Sequence, residues 1–185
     1  MTITYVLLAI VVLLVLWLIF AYNRLVTYRM RARESLSDID VQSKRRYDLI
    51  PNLVETVKGY AAHEKGVLEG VTNARTALMQ AKGTPLEKAK AEDQLSGTLK
   101  TLFAVAENYP QLKANENFLE LQRELTDTED KMQAARRFYN STVRDLNTAI
   151  ETFPTNLVAG TLGFREEKFF EVTSETERQA VQVKF

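Results

Sequence analysis

Residues Asn115–Phe153, NENFLELQRELTDTEDKMQAARRFYNSTVRDLNTAIETF, place Phe118, Leu121, Leu125, Met132, Ala135, Tyr139, Leu146 and Phe153 on one seam. The steps alternate between three and four, a coiled-coil-like spacing held over about five heptads. At the standard helical rise the segment spans roughly 55 Å. A stripe of that length must be covered by other helices, so an all-α bundle is the economical fold.

Working outward, the covering partners are legible. Thr84-Pro85-Leu86-Glu87 supplies a capping-box pair with proline at the first helical position. The helix it opens carries Leu86, Ala89, Leu95, Leu99, Leu102, Phe103 and Ala106 on one face and stops before Pro110. Upstream, Leu25, Arg29, Ala32, Leu36 and Ile39, then Leu49, Leu53, Val57, Tyr60, Val67, Val71 and Leu78, recur at helical spacing. Pro51 interrupts that stripe and predicts a kink or short break, because an interior proline costs about 3 kcal/mol. Lys82-Gly83 reads as its end, a cation in the last turn and a glycine cap. Downstream, Pro154 to Leu162 predicts one more short helix stopped by Gly163, and Ala180–Phe185 alternates in strand fashion.

The N-terminal end is of another character. Ile3 to Tyr22 holds no charged residue, and the first charges after it are Arg24, Arg29, Arg31 and Arg33. Twenty or so apolar residues make a helix of about 30 Å, the thickness of a bilayer's hydrocarbon core. Tyr5 and Tyr22 suit the two interfaces, and the arginines predict an outside N-terminus with the rest cytoplasmic. A cleaved signal peptide is the alternative, but the basic n-region, shorter apolar core and small-residue cleavage site it needs are not evident. The expected organisation is an anchor over 1–23, a helical bundle over 24–163 and an aromatic tail over 164–185, the anchor running straight into an elongated antiparallel bundle.

Composition narrows the chemistry. Net charge is zero, yet Arg24–Arg46 carries seven basic and three acidic residues while the remainder carries 17 basic and 21 acidic. A nucleic-acid binder would keep its basic surface on the domain itself, so no nucleic-acid partner is expected. The gradient suits a protein whose near end meets anionic headgroups. The chain has no cysteine and a single histidine, His63, which excludes disulfides, thiolate chemistry and a multi-histidine metal site within one chain. A di-iron bundle needs Glu-x-x-His pairs on two helices, and His63 is preceded three residues earlier by Tyr60. There is no zinc-protease pair, nucleophile elbow, Walker loop or dinucleotide fingerprint. No catalytic residue, metal or cofactor is therefore expected. His63 reads as packing at a helix seam, and the sequon at Asn140 as a chance match inside a helix.

The interaction candidates are fewer. Lys44-Arg45-Arg46 stands roughly 35 Å along the helix from the headgroups, several Debye lengths of about 8 Å. It reads as a solvated face self-paired with Asp40 and Asp48, or as a patch meeting Asp127, Glu129 and Asp130 of this or a neighbouring chain. Phe164, Phe169 and Phe170 either cover one end of the bundle or offer a sticky surface to a partner. Val181, Val183 and Phe185 could pair as an added strand along another chain.

Several blocks are then long enough to be specific: Ile39-Asp40-Val41-Gln42, Lys44-Arg45-Arg46-x-Asp48-Leu49-Ile50-Pro51-Asn52-Leu53-Val54, Glu107-Asn108-Tyr109-Pro110, Arg137-Phe138-Tyr139-Asn140 and Phe169-Phe170-Glu171. With them the chain resembles the LemA family of bacterial membrane proteins. The resemblance implies a single-pass anchor in the bacterial inner membrane, a cytoplasmic helical bundle and no known catalytic activity or cofactor. It points toward organising or remodelling membranes, though fold analogy cannot supply function alone. Two functions compete. One is a homo-oligomeric scaffold on the lipid bilayer, and the other is an adaptor recruiting a membrane protein partner such as a protease or a signalling protein. The apolar run has no Gly-x-x-x-Gly face, so assembly is expected to rest on the soluble part.

Overall fold

The computed structural model describes residues 2–81 and 84–170. Helices α1 (Thr2–Lys58), α2 (Lys65–Gln80), α3 (Pro85–Ala106), α4 (Pro110–Lys113), α5 (Glu116–Glu151) and α6 (Asn156–Ala159) follow in order, and no strand occurs among the described residues. The all-α reading holds, with a long apolar helix leading into a helical bundle. Lys82, Gly83, Val181, Val183 and Phe185, and with them the expected glycine cap and added strand, lie outside the described residues. The described residues fall into two compact units, 39–134 with 170, and 2–38 with 135–169.

The first unit buries Ile50, Leu53 and Val57 of α1 among Val71 and Leu78 of α2, Leu95, Leu99 and Leu102 of α3 and Phe118 and Leu125 of α5. On α1 the buried positions here are Ile39, Ser43, Arg46, Ile50, Leu53 and Val57, at steps of four and three. Leu49, expected on the seam, is only half-buried, because Ile50 occupies that position.

Of the kink or short break predicted at Pro51, the break is absent; α1 runs through it to Lys58. Proline at 51 leaves the Tyr47 carbonyl without its usual intrahelical donor. Arg75 Nε of α2 donates to that oxygen at 2.8 Å and replaces it. The break comes instead at Gly59–Glu64, where the stripe had been read as continuous. Glycine is a poor helix former, and the helix closes there with Tyr60 N–H and Ala61 N–H both donating to the Val57 carbonyl. Ala61 fills the core beneath the turn. His63 is exposed in this connection rather than packed at a seam, because the helix that would have carried it there has ended. Beyond the turn the buried face moves to Leu68, Val71, Ala74 and Leu78, and Val67 is half-buried. At the start of α3 the capping box is complete: Glu87 N–H donates to Thr84 Oγ1 at 3.4 Å and Thr84 N–H to Glu87 Oε2 at 3.0 Å.

In the other unit, Leu25 of α1, Leu146 of α5, Ala159 of α6 and Phe164 form a second core, edged by Val26, Tyr28, Ala149 and Ile150. Gly163 has φ of +77°, a conformation that side chains disfavour. It lets Phe164 N–H reach back to the Ala159 carbonyl at 3.0 Å and turns the Phe164 ring inward. Phe153, expected on the α5 seam, lies past the end of that helix and is exposed. Along α1, residues 2–16 are all exposed. Their window reaches a mean hydropathy of 3.0, apolar and long enough to cross a membrane.

Candidate functional site

Two places concentrate unusual side chains. The first is a buried polar cluster in the 39–134 unit. Arg46 Nη1 pairs with Glu92 Oε2 at 3.1 Å and with Glu129 Oε2, and Arg46 Nη2 donates to Ser96 Oγ at 3.0 Å. Ser43 Oγ donates to the other oxygen of Glu92, and Ser96 Oγ to Glu129 at 3.2 Å. Glu92 is fully buried and Arg46 nearly so. Heptad logic explains the placement: Arg46 lies four residues before Ile50, and Glu92 three after Ala89 and three before Leu95, so both point into seams. Removing ions from water is costly, and only mutual pairing with added hydrogen bonds offsets it. The cluster fixes how α1, α3 and α5 register within this unit, and its charges face one another rather than a ligand.

Arg46 is therefore not on a solvated basic face. Its contact with Glu129 is the one pairing with the acidic stretch of α5 that the patch reading anticipated, made within the chain. Lys44 is exposed and pairs with Asp48 at 2.7 Å, a bond that raises the ammonium pKa above its ordinary value. Asp40, its other expected partner, instead accepts from Lys88 at 2.6 Å. Arg45 is exposed.

The second place is the end of the apolar run. Tyr5 and Tyr22 are both exposed, as are Arg24, Arg31 and Arg33. Arg24 Nε donates to Tyr28 Oη at 3.2 Å. Arg29 departs from the expectation of a free headgroup contact: it is half-buried, its guanidinium 4.7 Å from the Phe164 ring centroid. Tyr22 meets the same ring edge-on at 5.7 Å. Phe164 is thus a buried hub, as the covering alternative had it. Phe170 is buried as well, and only Phe169 of the three tail aromatics is exposed. Sequence reasoning placed all three together because it had no means of seeing Gly163 turn Phe164 inward. Beside this hub a groove of about 340 Å³ runs between α1 and the α5–α6 turn, with Trp17, Phe20, Arg24, Arg144, Asp145 and Phe153 among its lining. The groove was not anticipated, since only folding brings Trp17 and Phe153 to one surface.

A further Tyr anchors the chain after α6. Tyr139 Oη donates to the Lys168 carbonyl at 2.9 Å, and Asn147 bonds both the N–H and the carbonyl of Glu167. Burial, with the Glu167 carboxylate nearby, pushes the Tyr139 phenol up to about 12. In the other unit Tyr109 Oη donates to Glu64 at 2.9 Å, and that bond raises its pKa too. No group of three or more potential metal ligands is assembled among the described residues.

Known proteins match this chain over most of its length. Protein LemA of Metamycoplasma hominis is 31% identical over 159 residues, covering 84% of this chain and 71% of that protein. Magnetosome protein MamQ 2 of Paramagnetospirillum magneticum is 25% identical over 186 residues, with 87% and 68% covered. Magnetosome protein MamQ of Magnetospirillum gryphiswaldense is 25% identical over 178 residues, with 83% and 65% covered. The model of the LemA family matches residues 35–185, beginning beyond the apolar run. By these matches the chain belongs to the LemA family.

Proposed function

We propose that this protein is a non-enzymatic scaffold, anchored in a bilayer by residues 3–22, whose copies pack side by side and organise the membrane. The observation that carries the reading is the apolar run, exposed at every residue from 2 to 16, on the same helix, α1, that supplies the seam of the bundle. Exposing so much apolar surface to water is unfavourable by roughly 25 cal/mol per Å², and a bilayer removes that penalty. The arginines from Arg24 to Arg33 support a cytoplasmic side for the bundle in this reading. Relatives named as magnetosome proteins support a membrane setting. Lateral contacts fall to the exposed apolar side chains beyond the anchor, Phe138 and Phe169 foremost, with the exposed Lys44 and Arg45 as separate charged candidates. Val181, Val183 and Phe185 remain candidates for the same contacts.

The test is the mass of the full-length protein extracted in mild detergent, measured by light scattering. An assembly of several copies is expected, and Phe138→Ala with Phe169→Ala should shrink it. A clean monomer at micromolar concentration contradicts self-assembly and favours an adaptor that recruits another membrane protein.

A further inference from the structure

Phe153 and Leu157 are 74% and 68% exposed, a larger fraction of their surface than most residues of the apolar run show. Phe153 sits on the turn joining α5 to α6 and Leu157 in the first turn of α6, and nothing in the 2–38 with 135–169 unit covers them. Their position matters more than their exposure. Phe153, Pro154 and Thr155 line one groove with Trp17, Phe20 and Arg24. Trp17 and Phe20 lie inside the apolar run, about 9 and 5 Å down the helix axis from Asn23. The polar layer of a bilayer is only about 5–7 Å deep on each side of its hydrocarbon core. If Trp17 and Phe20 are in the membrane, the turn that shares their groove stands at the boundary between headgroups and acyl chains.

We infer that the α5–α6 turn is a second membrane contact, seated in the leaflet beside the anchor with Phe153 and Leu157 among the acyl chains. The occupant of the groove is lipid, because the groove is continuous with the anchor's lipid-facing surface. Its chemistry is graded to match. Trp17, Phe20 and Phe153 line it at the membrane end, while Arg144 and Asp145 lie about 13 Å back along α5. Arg24 is placed to meet headgroup phosphates, with Arg144 and Asp145 farther from the membrane. The turn leaves the bundle with two points of support on the surface rather than one, which restrains its tilt. This inference rests on the anchor reading, and its test separates the two.

The chain has no cysteine and one tryptophan, Trp17, so both kinds of probe are clean. The full-length protein is reconstituted in phosphatidylglycerol–phosphatidylcholine vesicles. Trp17 reports the anchor without substitution, through quenching by brominated lipid. Phe153→Cys and Leu157→Cys, each at an exposed side chain whose loss leaves no cavity, carry an environment-sensitive fluorophore. Val12→Cys and Lys90→Cys serve as the membrane and aqueous references. The expected result is emission at 153 and 157 shifted toward that at 12, quenched by nitroxide lipid and shielded from aqueous iodide. Quenched Trp17 with iodide-accessible labels at 153 and 157 overturns the inference and leaves the anchor standing. Labels shielded from iodide yet untouched by nitroxide lipid also overturn it, since protein then covers the turn. Unquenched Trp17 overturns the anchor and this contact together.

Discussion

At the scale of single residues, the side chains that define the bundle most sharply are polar ones on apolar seams. Arg46 and Glu92 share a hydrogen bond in a buried site, so removing Arg46 strands the Glu92 charge. Arg46→Met is expected to cost about 3–5 kcal/mol of stability. Arg46→Met combined with Glu92→Met is expected to recover most of that loss, as measured by denaturant unfolding of the four members of the cycle. The seam itself was nearly legible: alternation of three and four is plain in the sequence. Polar residues on it were passed over because Leu49 offered an apolar alternative one position from Ile50, and a basic triplet reads by default as solvated. Only three-dimensional pairing reveals that Arg46 differs from Lys44 and Arg45.

Tyr139 gives a titration at the same scale. Its phenol holds its proton to about pH 12 in the folded chain against an ordinary 10. The unfolded chain therefore loses that proton first as pH rises, and the stabilisation, complete below pH 10, is lost progressively toward pH 12. Unfolding midpoints measured from pH 9 to pH 12 should fall more steeply for the native protein than for Tyr139→Phe.

At the scale of elements, propensity was a good guide to where helices begin and a poor one to where they break. The Thr84–Glu87 capping box was legible because both its bonds are local. Pro51 does not break α1, and the group that rescues the Tyr47 carbonyl is 28 positions away on α2. Arg75→Ala should cost about 1.5–3 kcal/mol, the range for a hydrogen bond from a charged group. In a Pro51→Ala background the amide at 51 takes over the carbonyl, so the same substitution should cost clearly less. Thermal melts of the four proteins measure this. If the cost of Arg75→Ala is the same in both backgrounds, the replacement-donor explanation fails. Gly59 was the better marker of a break, and it was overlooked because the apolar spacing continues past it.

At the scale of the whole molecule, the anchor was the most legible feature, since uncharged length alone makes it. The all-α class followed from periodicity, and the family from blocks of matching residues. The groove beside the anchor was not legible, because Phe153 is 136 positions from Trp17 and only folding brings them to one surface. Function was the least legible, since the sequence presents no constellation of reacting groups from which to read it. The apolar run holds the chain at a bilayer, and the paired charges of the 39–134 unit hold the bundle's register. In the proposed scaffold, the exposed aromatic side chains Phe138 and Phe169 meet other copies.

The most direct test of that claim counts copies in an intact membrane. Fluorescently tagged full-length protein, expressed at native level, is imaged as single membrane-resident spots and bleached. Several bleaching steps per spot, reduced by Phe138→Ala with Phe169→Ala, are the predicted result. Spots that bleach uniformly in one step would contradict the account.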